Sequence, residues 1–104
     1  MFVFSGFTQK ANKALNSAIW LAQELGHTYI GSEHILGGIL KENDSYAAEI
    51  LNNSTISYEE LYEQLELDVG KGMSTSLTPS DFTPRTKRIL ETSTMEARKM
   101  GTAL

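Results

Sequence analysis

His27, Glu33 and His34 sit in one short stretch, GHTYIGSEHIL (26–36), and each side chain can bind a metal, move a proton or hold a cation. The spacing fits neither H-E-x-x-H nor H-x-x-E-H, and these two histidines are the only ones in the chain. They read as structural: His27 in an interhelical turn, His34 on the first turn of a new helix. Gly70-Lys71-Gly72 lacks the upstream glycine and the following Ser/Thr of a phosphate-binding loop, and no apolar strand leads into it. No serine comes with a His/Asp constellation, so neither ATP hydrolysis nor proteolysis is expected of this chain. Glu59, Glu60, Glu63, Glu66 and Asp68 read as a solvated acidic helix face.

Glu33 supports two readings. At about 100° per residue it lies roughly 60° from Leu36, at the edge of an apolar face. A first-turn acid complements the helix dipole, a structural role contributing under about 1 kcal/mol. The other reading is a ligand site. Thr8 marks a second helix N-terminus with Lys10 nearby, a natural anion site. An anion site beside a half-buried carboxylate suits a ligand with a phosphate at one end and a cation behind it.

Helices must position these groups. Ala11, Ala14, Leu15, Ala18, Ala22 and Leu25 share one face of a helix that Thr8 caps and Gly26 ends. A second helix is expected from Ser32 with Leu36, Ile39 and Leu40, and a third at about 44–51. A fourth opens at the capping box Ser57-Tyr58-Glu59-Glu60 and packs Leu61 and Leu65. Residues 70–81 are rich in Gly, Ser and Thr and read as a mobile linker. The last helix starts at Thr83-Pro84 and stops at Gly101. Nothing shows sustained strand alternation, so the chain is expected to be all-α, with about five helices.

Residues 7–29 align with residues 82–104 at a constant offset, matching Phe7/Phe82, Thr8/Thr83, Leu15/Leu90, Ala22/Ala97 and Gly26/Gly101. These identities fall on cap, core face and stop, which suggests an internal repeat. The expected division is one domain over 1–104: a first repeat at about 7–67, a linker at about 70–81 and a partial second repeat at about 82–104. The apolar face of Ile89, Leu90, Ala97 and Met100, lacking the rest of its repeat, is expected to favour self-association of this form.

The bulk properties fit. The 104 residues are 21% charged and 40% hydrophobic, ordinary for a soluble globular domain with a modest core. A net charge of -4 argues against nucleic-acid binding. No cysteine means no disulfide and no thiolate metal site. Neither a membrane span nor a secretion signal is evident, so a cytoplasmic location is expected.

FTxxAxxAL at 7–15, LGHTYIGSEHIL at 25–36, AAEIL at 47–51 and FTPRTKRILE with EARKMG near the end resemble the N-terminal domain of Clp-type AAA+ unfoldases, most closely the ClpC kind. The resemblance covers nearly the whole chain. It implies an α-helical domain of two pseudo-repeats that recognises substrates and adaptor proteins for an ATP-driven unfoldase feeding a ClpP-type protease. It also implies phosphoarginine as a ligand: Glu33 for the guanidinium, and Thr8, Lys10, Thr83, Arg85 and Lys87 toward the phosphate. No metal and no cofactor are implied. The alternative is a free-standing adaptor or regulator built on the same domain without an ATPase. Two positions depart from the family pattern: Gly37 where leucine is usual, expected to loosen its helix beside Gly38, and Trp20 on a face otherwise made of Gln9, Asn12, Lys13, Asn16, Gln23 and Glu24.

Overall fold

The structure is a computed structural model that describes residues 1–42, 57–69 and 72–101. The helix expected at 44–51 therefore lies outside the described residues. Among the described residues are four α-helices, α1 (Gln9–Glu24), α2 (Ser32–Lys41), α3 (Tyr58–Val69) and α4 (Pro84–Lys99), with a 3-10 turn at Pro79–Asp81. The one β feature among the described residues is an isolated parallel bridge between Ile30 and Phe82. The all-α expectation holds.

The ends of these helices follow from local chemistry. Thr8 Oγ1 accepts the Ala11 N–H at 3.2 Å, satisfying one of the donors that a helix start leaves without an intrahelical partner. Thr83 Oγ1 does the same for the Thr86 N–H at 3.1 Å. After the last turns, Gly26 and Gly101 take φ of 74° and 75°, a left-handed conformation that costs a residue with a Cβ about 1 kcal/mol or more. Both α1 and α4 run for 16 residues. At the start of α3, Ser57 Oγ accepts the Glu60 N–H, as an N-cap does, and donates to the Glu60 carboxylate.

α1 is the centre of the fold, and it is buried over a wider arc than one amphipathic stripe. Leu15, Ala18, Ile19 and Ala22 join Ile30, Leu77 and Phe82 in one cluster, with Phe4, Phe7, Ile35 and Leu90 packed against it. Leu21 and Leu25 turn toward Leu65 of α3 and form a second cluster with Tyr58, Leu61 and Tyr62. Each fully buried Leu or Ile contributes roughly 1.5–3 kcal/mol, so α1 carries much of the stability. α2 lies directly on α1 because Gly38 has no side chain. A Cβ there would press on the Ala14 carbonyl oxygen and stand 2.9 Å from the Ala18 nitrogen. Gly37, beside it, faces Leu21 and Leu61 side chains instead.

Residues 72–81 are tied to α1 and its C-terminal turn. Gly72 N–H donates to Leu25 O at 2.8 Å, Thr75 N–H to Gln23 O at 3.1 Å, and Leu77 N–H to Gln23 Oε1 at 2.9 Å. Thr75 Oγ1 adds a bond to His27 O, and Leu77 is buried in the core. A Gly/Ser/Thr-rich segment can thus be fixed through its backbone, which composition alone does not register. On α4, Ala97 is buried and Leu90 packs on the core, whereas Ile89, Met95 and Met100 are exposed.

Candidate ligand-binding site

The site forms where the chain leaves α1 and enters α2. After Gly26, His27 is buried, and its ring stacks on Tyr29 with centroids 5.8 Å apart. His34, one residue after Glu33, is fully buried as well. Its Nδ1 accepts the Gly31 N–H at 2.9 Å, so its proton sits on Nε2, which donates to His27 Nδ1 at 2.8 Å. Both ring nitrogens of His34 are therefore engaged, as a structural histidine requires. Burial, followed by the neighbouring His27, pushes the His34 pKa down to about 4. The His34 ring is neutral at pH 7. Two buried histidines bonded to each other hold the turn that sets where Glu33 stands.

Glu33 follows as the acid of the first turn of α2, and its side chain folds back over Gly31. A Cβ on Gly31 would meet Glu33 Oε1, so the carboxylate occupies the space that only a glycine leaves. Its Oε1 is 3.7 Å from His34 Nδ1, a contact with a neutral ring rather than an ion pair. The side chain remains 41% exposed, so a ligand can reach it. Tyr29 stands on the same rim. Its hydroxyl pKa is raised by burial and then by the charge of Glu33. A carboxylate next to an aromatic ring can hold a planar cation through charge and ring contact together.

The bridge between Ile30 and Phe82 brings the start of α4 to this rim. Ile30 N–H donates to Asp81 O at 2.9 Å and Thr83 N–H to Ile30 O at 3.0 Å. Thr83 therefore lies beside the residue that precedes Gly31, and α2 and α4 both begin near this point. Thr83 Oγ1 also bonds Thr86 Oγ1 at 2.7 Å, and Thr86 is buried. Arg85 and Lys87 are exposed on the first turn of α4. Thr8 and Lys10 belong to the start of α1, joined to the start of α4 through rings: Phe4 contacts Phe7 at 6.4 Å and Phe82 at 5.9 Å. Thr8 and Lys10 are exposed there. The structure thus joins Glu33 with Thr83 through the bridge and keeps Thr8 and Lys10 on a separate helix start. Tyr29 and the His27–His34 pair are additions that sequence reasoning did not place at the site; GHTY ahead of SEH held the signal, but only the fold turns the rings toward each other.

Similarity to known proteins is consistent with this architecture. The family model described as "Clp repeat (R) N-terminal domain" matches residues 6–104. The chain is 39% identical over 99 residues to the "Negative regulator of genetic competence ClpC/MecB" of Bacillus subtilis, covering 95% of this chain and 12% of that protein. It is 37% identical over 99 residues to the chloroplastic chaperone protein ClpC1 of Oryza sativa, covering 95% of this chain and 11% of that protein. The chain thus spans only about an eighth of the length of these relatives. In fold it is similar to the N-terminal domain of the chaperone ClpD from Arabidopsis thaliana, with a TM-score of 0.73 at 23% identity, over 97% of this chain and 70% of that one. With the helix caps, the fold and the family match in agreement, the chain belongs to the Clp repeat (R) N-terminal domain family.

Proposed function

We propose that this chain is a substrate- and adaptor-recognition domain of a ClpC-like, ATP-dependent unfoldase, and that it binds arginine-phosphorylated segments. The observation that carries the reading is the Glu33 carboxylate, held half-exposed over Gly31 beside Tyr29, with the Thr83-capped start of α4 bridged to the same rim. Glu33 takes the guanidinium. Thr83, Arg85 and Lys87, with Thr8 and Lys10 at the neighbouring helix start, supply hydroxyls, positive charge and helix-terminal N–H groups toward the phosphate. The domain has no catalytic role of its own in this reading; the ATPase and a ClpP-type protease partner belong to the longer protein. The matched lengths, caps and stops of α1 and α4 support two repeats, at about 7–67 and 82–104, joined by 70–81. Exposed Ile89 and Met100 support self-association of this form through α4. No helix among the described residues is long and apolar enough to cross a membrane. A cytoplasmic location is part of the same proposal.

The experiment is the variant Glu33→Ala. As a first-turn acid Glu33 contributes a few tenths of a kcal/mol to folding. As the partner of a guanidinium in a partly desolvated rim, its loss costs roughly 1.5–3 kcal/mol of binding. The variant is expected to melt within a few degrees of the parent and to bind a phosphoarginine peptide about tenfold more weakly or worse. A large loss of stability with unchanged affinity would make Glu33 structural only.

A further inference from the structure

Asn12 and Asn16 do something that their place on a polar helix face does not suggest. Asn16 Oδ1 accepts the Phe2 N–H at 2.8 Å, and Asn16 Nδ2 donates to Phe2 O at 2.8 Å. One turn earlier, Asn12 Oδ1 accepts the Phe4 N–H at 2.6 Å, and Asn12 Nδ2 donates to Phe4 O at 3.2 Å. Each carboxamide pairs with both backbone groups of one residue, and the residues it selects alternate. That is how the edge of a β-sheet holds an added strand. The dimensions agree: four residues of helix advance about 6 Å, and two residues of strand about 6.6 Å. Two asparagines one turn apart thus make a short strand edge out of a helix.

What this edge holds is the chain's own first residues, and it holds them mostly by the backbone. Met1 and Val3 are almost fully exposed, and Phe4 is the residue whose ring enters the aromatic cluster. In the same register, the next turn of α1 after Asn16 presents Trp20, 42% exposed, at an open cleft of about 380 Å³ that begins at Met1 and is floored by Ser17 and Glu42. Lys41 Nζ lies 4.3 Å from the Trp20 ring centroid and Ser17 Oγ donates to Glu42 Oε2 at 2.6 Å, so the cleft has a fixed shape. The strand edge therefore leads into an open space with the Trp20 ring as an apolar wall.

We propose that the Asn12–Asn16–Trp20 face of α1 is a binding site for an extended apolar polypeptide segment, and that residues 1–4 occupy it as an intramolecular competitor. An incoming strand takes the bonds of Phe2 and Phe4 and places an apolar side chain in the cleft against Trp20. Because the bonds go to backbone, the site tolerates many sequences but requires N–H groups at alternate positions. The inference rests on the recognition reading above for the class of partner and on none of the residues around Glu33.

The test titrates a short labelled peptide of alternating valine and threonine into three proteins: the parent, Phe2→Pro, and Phe2→Pro with Asn16→Ala. Proline at position 2 removes the N–H that Asn16 accepts, weakening the competitor while leaving the site intact. Phe2→Pro is expected to bind the peptide at least about fivefold more tightly than the parent. Adding Asn16→Ala is expected to remove that gain and weaken binding about tenfold, the loss of two hydrogen bonds. A control peptide made of proline alone, which has no backbone N–H, should not bind. Phe2→Pro binding no more tightly than the parent, or Asn16→Ala without effect, overturns the proposal. Phosphoarginine binding is measured on the parent as well: if it is present while the valine–threonine peptide fails to bind, this inference alone falls, and if it is absent while the peptide binds, the Glu33 reading falls instead.

Discussion

Gly38→Ala is expected to lower the melting temperature by about 10 °C. The added Cβ would press on the Ala14 carbonyl oxygen and stand 2.9 Å from the Ala18 nitrogen, both part of the α1 backbone. Backbone inside a helix cannot rotate out of the way, so α1 and α2 must separate along the interface that carries most of the core. Overpacking of this kind costs roughly 1–3 kcal/mol and sometimes more, against a gain of about 1 kcal/mol from alanine's better helix propensity. Gly37→Ala is the matched control. Its Cβ would meet the end of the Leu21 side chain and lie 3.3 Å from Leu61 Cδ2, and side-chain tips can shift. Its penalty and its propensity gain nearly cancel, so stability should change by less than about 1 kcal/mol. Thermal melts of the two variants decide the matter. Equal effects would mean that the close approach of α2 to α1 is not set by Gly38.

Acid should weaken the fold before most carboxylates titrate, through His34. Its pKa is about 4 in the folded chain, held down by burial and by His27, and near 6.5 when unfolded. Between those values the unfolded chain binds the extra proton, so stability rises with pH and is lost as pH falls from about 6.5 toward 4. From pH 7 to pH 5 the loss attributable to His34 is about 2 kcal/mol. Urea unfolding at pH 7, 6 and 5 measures it, with His34→Gln as comparison. The variant is less stable at pH 7, because the Gly31 N–H and His27 lose their partner, but its stability should be much flatter over this range. An equally steep slope in the variant would place the titrating group elsewhere.

Local chemistry was legible in the sequence wherever one or two residues decide the outcome. Thr8, Ser57 and Thr83 cap helices and Gly26 and Gly101 follow them, because a cap needs only a hydroxyl or a missing Cβ at the right place. Glu33 is half-buried on the first turn of α2, as the helical register of the sequence implies. What escaped is non-local. Gln23 looked like part of a solvated face, yet its Oε1 accepts from Leu77, far along the chain. Asn12 and Asn16 looked the same and hold the first residues instead. Amides at such positions satisfy backbone groups of segments that composition marks as loops, and neither periodicity nor charge reveals the partner. The His27–His34 pair was hidden for a related reason: two polar side chains can be buried when each meets the other's hydrogen-bonding need. The joining of Glu33 with Thr83 depends on one bridge between Ile30 and Phe82, which no local pattern announces.

The central claim is that the rim around Glu33 reads a guanidinium and its phosphate together. Calorimetric titration of the protein with free phosphoarginine, arginine and inorganic phosphate tests it most directly. Phosphoarginine is expected to bind at least about tenfold more tightly than either component alone, because only it engages the Glu33 carboxylate and the helix starts at once. Arginine binding as tightly as phosphoarginine, or no saturable binding of any of the three, would contradict the account.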